Sequence, residues 1–85
     1  MDRIYLSELY DCYFELLTVK EREYFEEYYS EDLSLSEIAD NKQVTRSAIQ
    51  KVLKNVEEKL IDYENKLHVL KLKKENEELK KATEK

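Results

Sequence analysis

An all-α fold is predicted by three features of the chain. Its 85 residues include neither glycine nor proline, which removes the raw material of tight β-hairpins and glycine-rich phosphate loops. Apolar residues recur at helical spacing, and no stretch alternates apolar and polar as a half-buried strand does. A strand-built wing therefore has no candidate segment. Thr18, Ser34 and Thr45 each offer a helix-capping hydroxyl ahead of an apolar run, and Glu21 and Glu37 follow the first two at capping-box spacing. At this length the chain makes one domain with a modest core.

Taken in order, Asp2 to Leu17 sets Leu6, Leu9, Tyr10, Tyr13, Phe14, Leu16 and Leu17 on one helical face and Glu8, Asp11 and Glu15 on the other. The Thr18/Glu21 box starts a second helix whose apolar face uses Tyr24, Phe25 and Tyr28, with Tyr29 beside them. Ser30 to Asp32 form a turn. Leu33 to Asn55 then carries two short helical patterns. The first opens on the Ser34/Glu37 box with Leu33 and Ile38 as a staple, and the second on Thr45 with Val44 and Ile49 as another. Asp40 and Asn41 are residues that leave a helix easily. Leu35, Ile38, Ala39, Val44, Ile49, Val52 and Leu53 can share one small core. This is the pattern of a helix-turn-helix, whose second helix lies in the DNA major groove.

Beyond Thr45 no glycine or proline punctuates the chain, so one long C-terminal helix is expected. Ile49, Leu53, Val56, Leu60, Tyr63, Leu67 and Leu70 form a heptad-like seam along it. The seam fades at Lys74 and Glu77. Residues 1–70 thus read as the helix-turn-helix domain, aromatic N-terminal helices included, and residues 71–85 as a charged helical tail.

The net charge is −5, unevenly spread. Residues 1–41 hold 3 basic and 12 acidic side chains, a balance of −9. Residues 42–56 hold Lys42, Arg46, Lys51 and Lys54 with no acid, a balance of +4. The basic island coincides with the second helix of the motif, as a groove-binding element requires. Four cations neutralise only a few phosphates, so binding by one copy should be weak and salt-dependent.

Leu17 to Leu60, LTVKEREYFEEYYSEDLSLSEIADNKQVTRSAIQKVLKNVEEKL, resembles the fourth region of bacterial sigma factors, which reads the promoter −35 element. Residues 5–70, with their aromatic start and the ending LIDYENKLHVL, are more closely similar to the YlxM family of small bacterial proteins. The resemblance implies a regulatory role linked to the signal recognition particle, whose GTPase gene usually neighbours that of the family. The turn departs from the pattern: Lys42 stands where an apolar residue usually packs, and Gln43 where glycine or asparagine usually sits. If the methylene stem of Lys42 lies over the core, Lys42→Leu should be modestly stabilising.

Carried over position by position, the groove-facing residues are Thr45, Arg46, Ser47, Gln50 and Lys51, with Lys42 and Lys54 completing the basic set. Arg46 and Lys51 suit guanine edges, and Gln50 suits adenine. Thr45, Ser47 and Lys54 suit phosphates. Nucleic acid is the expected partner, DNA before RNA. The alternative is a protein adaptor gripping the particle's GTPase or its RNA, since helix-turn-helix domains serve both ends.

Other candidate sites resolve to packing. The tyrosines sit among Glu26, Glu27 and Glu31, whose charges oppose base stacking. His68 has no second ligand at metal spacing, Cys12 has no histidine partner, and Glu57 and Glu58 diverge around the helix as consecutive residues do. No metal, cofactor or enzymatic activity is expected. The start lacks the charge and apolar pattern of a signal peptide, and no apolar run is long enough to span a membrane. With one cysteine, a reducing cytoplasm is the expected location.

A homodimer is also expected. Leu6, Tyr10 and Tyr13 on the first helix, and Leu60, Tyr63, Leu67 and Leu70 on the C-terminal seam, offer more apolar surface than one small bundle is expected to cover. The competing arrangement folds the C-terminal helix back onto the first within one chain.

Overall fold

The structure is a computed structural model that describes residues 2–83, with side chains described for residues 2–77. Among these residues there are five α-helices and no strand: α1 (Arg3–Tyr13), α2 (Val19–Phe25), α3 (Leu35–Lys42), α4 (Arg46–Leu67) and α5 (Val69–Thr83). A 3₁₀ turn, Phe14–Leu16, joins α1 to α2, and a π-helical turn, Glu26–Ser30, extends α2. The last two residues of the expected tail, 84 and 85, lie outside the described residues.

The helix starts obey local chemistry. Asp2 caps α1 by accepting the Ile4 N–H at 3.0 Å. The Thr18 hydroxyl accepts the Glu21 N–H at 3.2 Å while the Glu21 carboxylate accepts the Thr18 N–H at 2.9 Å. Ser34 and Glu37 make the same reciprocal pair at the start of α3, both bonds 3.1 Å. Each arrangement satisfies amide donors that a helix's first turn leaves without partners.

Helix α4 packs against α1, α2, α3 and α5. Its first half contributes Ile49 and Leu53 to a small cluster with Tyr24, Ile38 and Ala39. Its second half contributes Val56 and Leu60 to a larger one with Leu6, Leu9, Tyr10, Tyr13, Leu17, Phe25 and Leu70. In that second core the Tyr10 and Phe25 rings stack at 4.4 Å between centroids, and Phe25 meets Tyr29 at 4.5 Å. The aromatic N-terminal helices thus serve packing, as their acidic surroundings suggest.

The single long C-terminal helix expected from the sequence is interrupted. His68 adopts the left-handed conformation (φ 54°, ψ 31°) and ends α4, its N–H reaching the Glu64 carbonyl at 2.9 Å. Helix α5 then lies against α1. The buried Glu64 side chain makes this corner. Its Oε1 accepts the Leu70 N–H and its Oε2 the Lys71 N–H, both at 3.1 Å, so Glu64 caps α5. The Tyr13 hydroxyl donates to the same carboxylate and accepts the Val69 N–H at 3.0 Å. Lys74 pairs with Glu8 of α1 at 3.0 Å.

This arrangement corrects the dimer surface read from the sequence. Leu6, Tyr10, Tyr13, Leu60 and Leu70 are all buried within the chain's own core, Tyr63 is half-buried, and Leu67 is 50% exposed. Withdrawing the buried leucines to serve a partner would cost roughly 2 kcal/mol each. The fold-back alternative holds, because the left-handed residue at 68 lets Leu70 reach the core that a straight helix would carry past. The expected tail likewise begins inside α5, a helix anchored to the core by Leu70.

Candidate nucleic-acid interface

The helix-turn-helix is α3, a three-residue turn and the first half of α4. Helix α3 continues through Asp40 and Asn41 to Lys42, two residues beyond the expected turn point. Gln43 carries the chain reversal at φ 55°, ψ 45°, the left-handed conformation that glycine takes at lowest cost. Both the Gln43 and the Val44 N–H groups point to the Ala39 carbonyl, the latter at 3.1 Å. Thr45 then accepts the Ala48 N–H on its hydroxyl at 3.1 Å and starts α4. Ile38, Ala39, Ile49 and Leu53 fix the crossing of the two helices, and Tyr24 closes the cluster from α2.

With Ile49 and Leu53 turned inward, Thr45, Arg46, Ser47, Gln50, Lys51 and Lys54 are all exposed. Arg46, Lys51 and Lys54 make no ion pair with a described residue. From Arg46 to Lys54 this face runs about 12 Å along the helix at 1.5 Å per residue. Asn55, also exposed, extends its edge. Glu57 and Glu58 end it. Tyr28, Tyr29, Leu35, Gln50, Leu53, Lys54 and Glu57 line a cleft beside it, where the Tyr29 hydroxyl donates to Glu57.

Lys42 does not join this face. Its ammonium lies 3.4 Å from a Glu23 carboxylate oxygen, 3.5 Å from one of Glu27, and 5.0 Å from the centre of the Tyr24 ring. Burial opposes its charge, but the two glutamates outweigh burial and hold the ammonium above its usual range. Lys42 therefore ties the turn to α2 and brings little free charge to a phosphate. The ammonium, expected to stay in water, instead finds carboxylates.

Two residues that organise the molecule carry no signal in the sequence. Arg3 reaches from α1 to the end of the π-helical turn, donating to the carbonyls of Tyr28 at 3.2 Å and Tyr29 at 3.4 Å and to Asp32 at 3.4 Å. Its guanidinium also lies over the Tyr28 and Tyr29 rings, 5.5 and 5.1 Å from their centres. Glu64 is the other. Burial raises its pKa, yet hydrogen bonds from Tyr13, Leu70 and Lys71 prevail and hold the carboxyl below the usual carboxylate range. The Tyr13 hydroxyl, buried and bonded to that carboxylate, is pushed up to about 12.

An all-α domain with a capped α3–turn–α4 unit and an exposed polar second helix is a helix-turn-helix protein. The whole chain, residues 1–85, matches the UPF0122 family, described as "Putative helix-turn-helix protein, YlxM / p13 like", and belongs to it. A UPF0122 protein of Clostridium kluyveri is 45% identical over 81 residues, which span 95% of this chain and 73% of the relative. One of Clostridium acetobutylicum is 44% identical over 80 residues, spanning 94% and 69%. One of Ureaplasma urealyticum serovar 10 is 46% identical over 77 residues, spanning 91% and 78%. Among the described residues, no helix is long and apolar enough to cross a membrane.

Proposed function

We propose that the protein is a regulatory DNA-binding protein that sets the first half of α4 in the major groove. The observation that carries this reading is the trio Arg46, Lys51 and Lys54 on the exposed face of a capped helix, in no ion pair with a described residue, with Gln50 among them. Arg46, Gln50 and Lys51 suit base edges, and Thr45, Ser47 and Lys54 suit phosphates. Lys42, held by Glu23 and Glu27, steadies the turn behind them. Regulation connected with the signal recognition particle is the context that the family resemblance supplies. The balance of −9 over residues 1–41 favours a second reading, in which the same helices bind a protein partner such as the particle's GTPase.

Fluorescence anisotropy with random duplex DNA and with the particle RNA, across a salt series, tests both readings. With Arg46, Lys51 and Lys54 as the cations on this face, the log–log salt slope per copy should be no steeper than about −3. Lys54→Ala should weaken all sequences alike and reduce the slope by about 1, whereas Arg46→Ala should cost roughly 1–3 kcal/mol on a preferred site. If neither substitution changes binding to any nucleic acid at low salt, the adaptor reading replaces this one.

A further inference from the structure

The reversal at His68 turns Leu70 inward and leaves the opposite side of α5 open. Val69 and Leu72 there are 43% and 54% exposed. With Lys73, Asn76 and Glu77 they line a shallow depression. In sequence, Val69, Leu72, Asn76, Leu79 and Thr83 recur at spacings of three, four, three and four. Those are the a and d positions of two heptads. This register is out of phase with the seam through Leu60 and Leu67, because the left-handed residue at 68 restarts the helix.

The register also specifies what fits. Asn76 falls at an a position, where in a parallel two-stranded coil asparagine pairs with its own copy and sets alignment. Glu75 falls at g and Lys80 at e, positions that meet with opposite signs across a parallel pair. An antiparallel pair would instead bring Lys73 and Lys80 together, two like charges. We propose that the outer face of α5 is a homodimer surface, on which a second copy of this chain pairs in parallel and in register. The proposal uses a different face from the buried seam and does not depend on nucleic-acid binding. Two heptads fall short of the three or four that mark a free-standing coiled coil. Here, however, α5 is already docked through Leu70, Glu64 and Lys74, so association has less helix to order. Pairing is accordingly weak and concentration-dependent.

Sedimentation equilibrium of the full chain, from low micromolar to near-millimolar concentration, tests the proposal. The average mass should climb from 10.3 kDa towards twice that value. Leu72→Lys should stay at one-chain mass throughout with an unchanged melting temperature, since the side chain is exposed. In a Cys12→Ser background shown to fold by circular dichroism, Asn76→Cys should form an interchain disulfide on mild oxidation. Lys71→Cys, at an outward c position, should not. A one-chain mass at every concentration overturns the proposal and leaves the face to some other partner. Association that survives Leu72→Lys, or cross-linking equal at both cysteines, overturns it too.

Discussion

The two halves of α4 are one unbroken helix held in different ways. On the first half, Arg46, Lys51 and Lys54 are exposed and pair with no acidic side chain among the described residues. On the second, Lys59 reaches Glu21 at 2.7 Å and Lys66 reaches Asp62 at 3.0 Å. Exposed ion pairs contribute little to stability, so the first half forfeits little by leaving its cations free. What it gains is a positive face whose charge is available to phosphates. The second half carries the interior load instead, through Val56, Leu60 and the buried Glu64. An exposed polar surface and a surface that serves the fold thus follow one another on a single helix.

The comparison breaks most sharply at Glu64. Glu64→Ala removes the acceptor of three donors: the Tyr13 hydroxyl and the N–H groups of Leu70 and Lys71. Leaving such groups unpaired should cost about 3 kcal/mol in all, a drop on the order of 15 °C in melting temperature for a domain of this size. Nuclear magnetic resonance should show the change centred on α5 and α1, with the α3–turn–α4 signals little moved. A melt within a degree or two of the parent would mean that α5 is not docked through this carboxylate. Because the folded pKa of Glu64 is lowered, its stabilisation is fully present above the ordinary carboxylate value and is lost as pH falls through the folded one. Glu21, whose pKa is also lowered against the opposing effect of burial by Lys59 and the Thr18 cap, shares that sign. Melting temperature should therefore fall steeply below about pH 4, and Glu64→Gln should flatten part of that fall.

A smaller effect distinguishes the turn. Lys42→Leu, expected from the sequence to stabilise, should instead cost about 1 kcal/mol, because it leaves Glu23 and the half-buried Glu27 facing each other without a cation. Denaturant titration measures it; an unchanged or raised midpoint would show that the apolar stem, not the charge, is what the position needs. Smallest of all, Gln43→Gly should raise stability by about 0.5–1 kcal/mol, since glycine takes the left-handed backbone without the side chain's penalty. A loss at this site would mean that the Gln43 side chain holds the turn in a way its backbone does not disclose.

Much of the candidate site was legible in residue order. Thr45 and the Ser34/Glu37 pair mark their helix starts because a cap acts across three residues and needs nothing from the rest of the chain. The exposed set Thr45, Arg46, Ser47, Gln50, Lys51 and Lys54 follows from the inward positions Ile49 and Leu53 by helical geometry alone. Lys42 is the exception. Its place in the basic island is a fact of sequence, but its partners lie on α2, nineteen residues away for Glu23, and only packing brings them together.

The sequence by itself determined the helix starts at Thr18, Ser34 and Thr45, the helix-turn-helix and the exposed face of its second helix, because each rests on interactions within a turn or two of backbone. Tertiary structure alone decided the course of the chain after Leu67. The apolar spacing from Ile49 to Leu70 reads the same whether the helix runs straight towards a partner or bends back, and no glycine marks the bend. What selects the bend is a carboxylate on α4, a tyrosine on α1 and the first amides of α5 meeting in one buried place. Tyr13 and Glu64 stand 51 residues apart, and a contact at that separation leaves no periodic trace in the residues between.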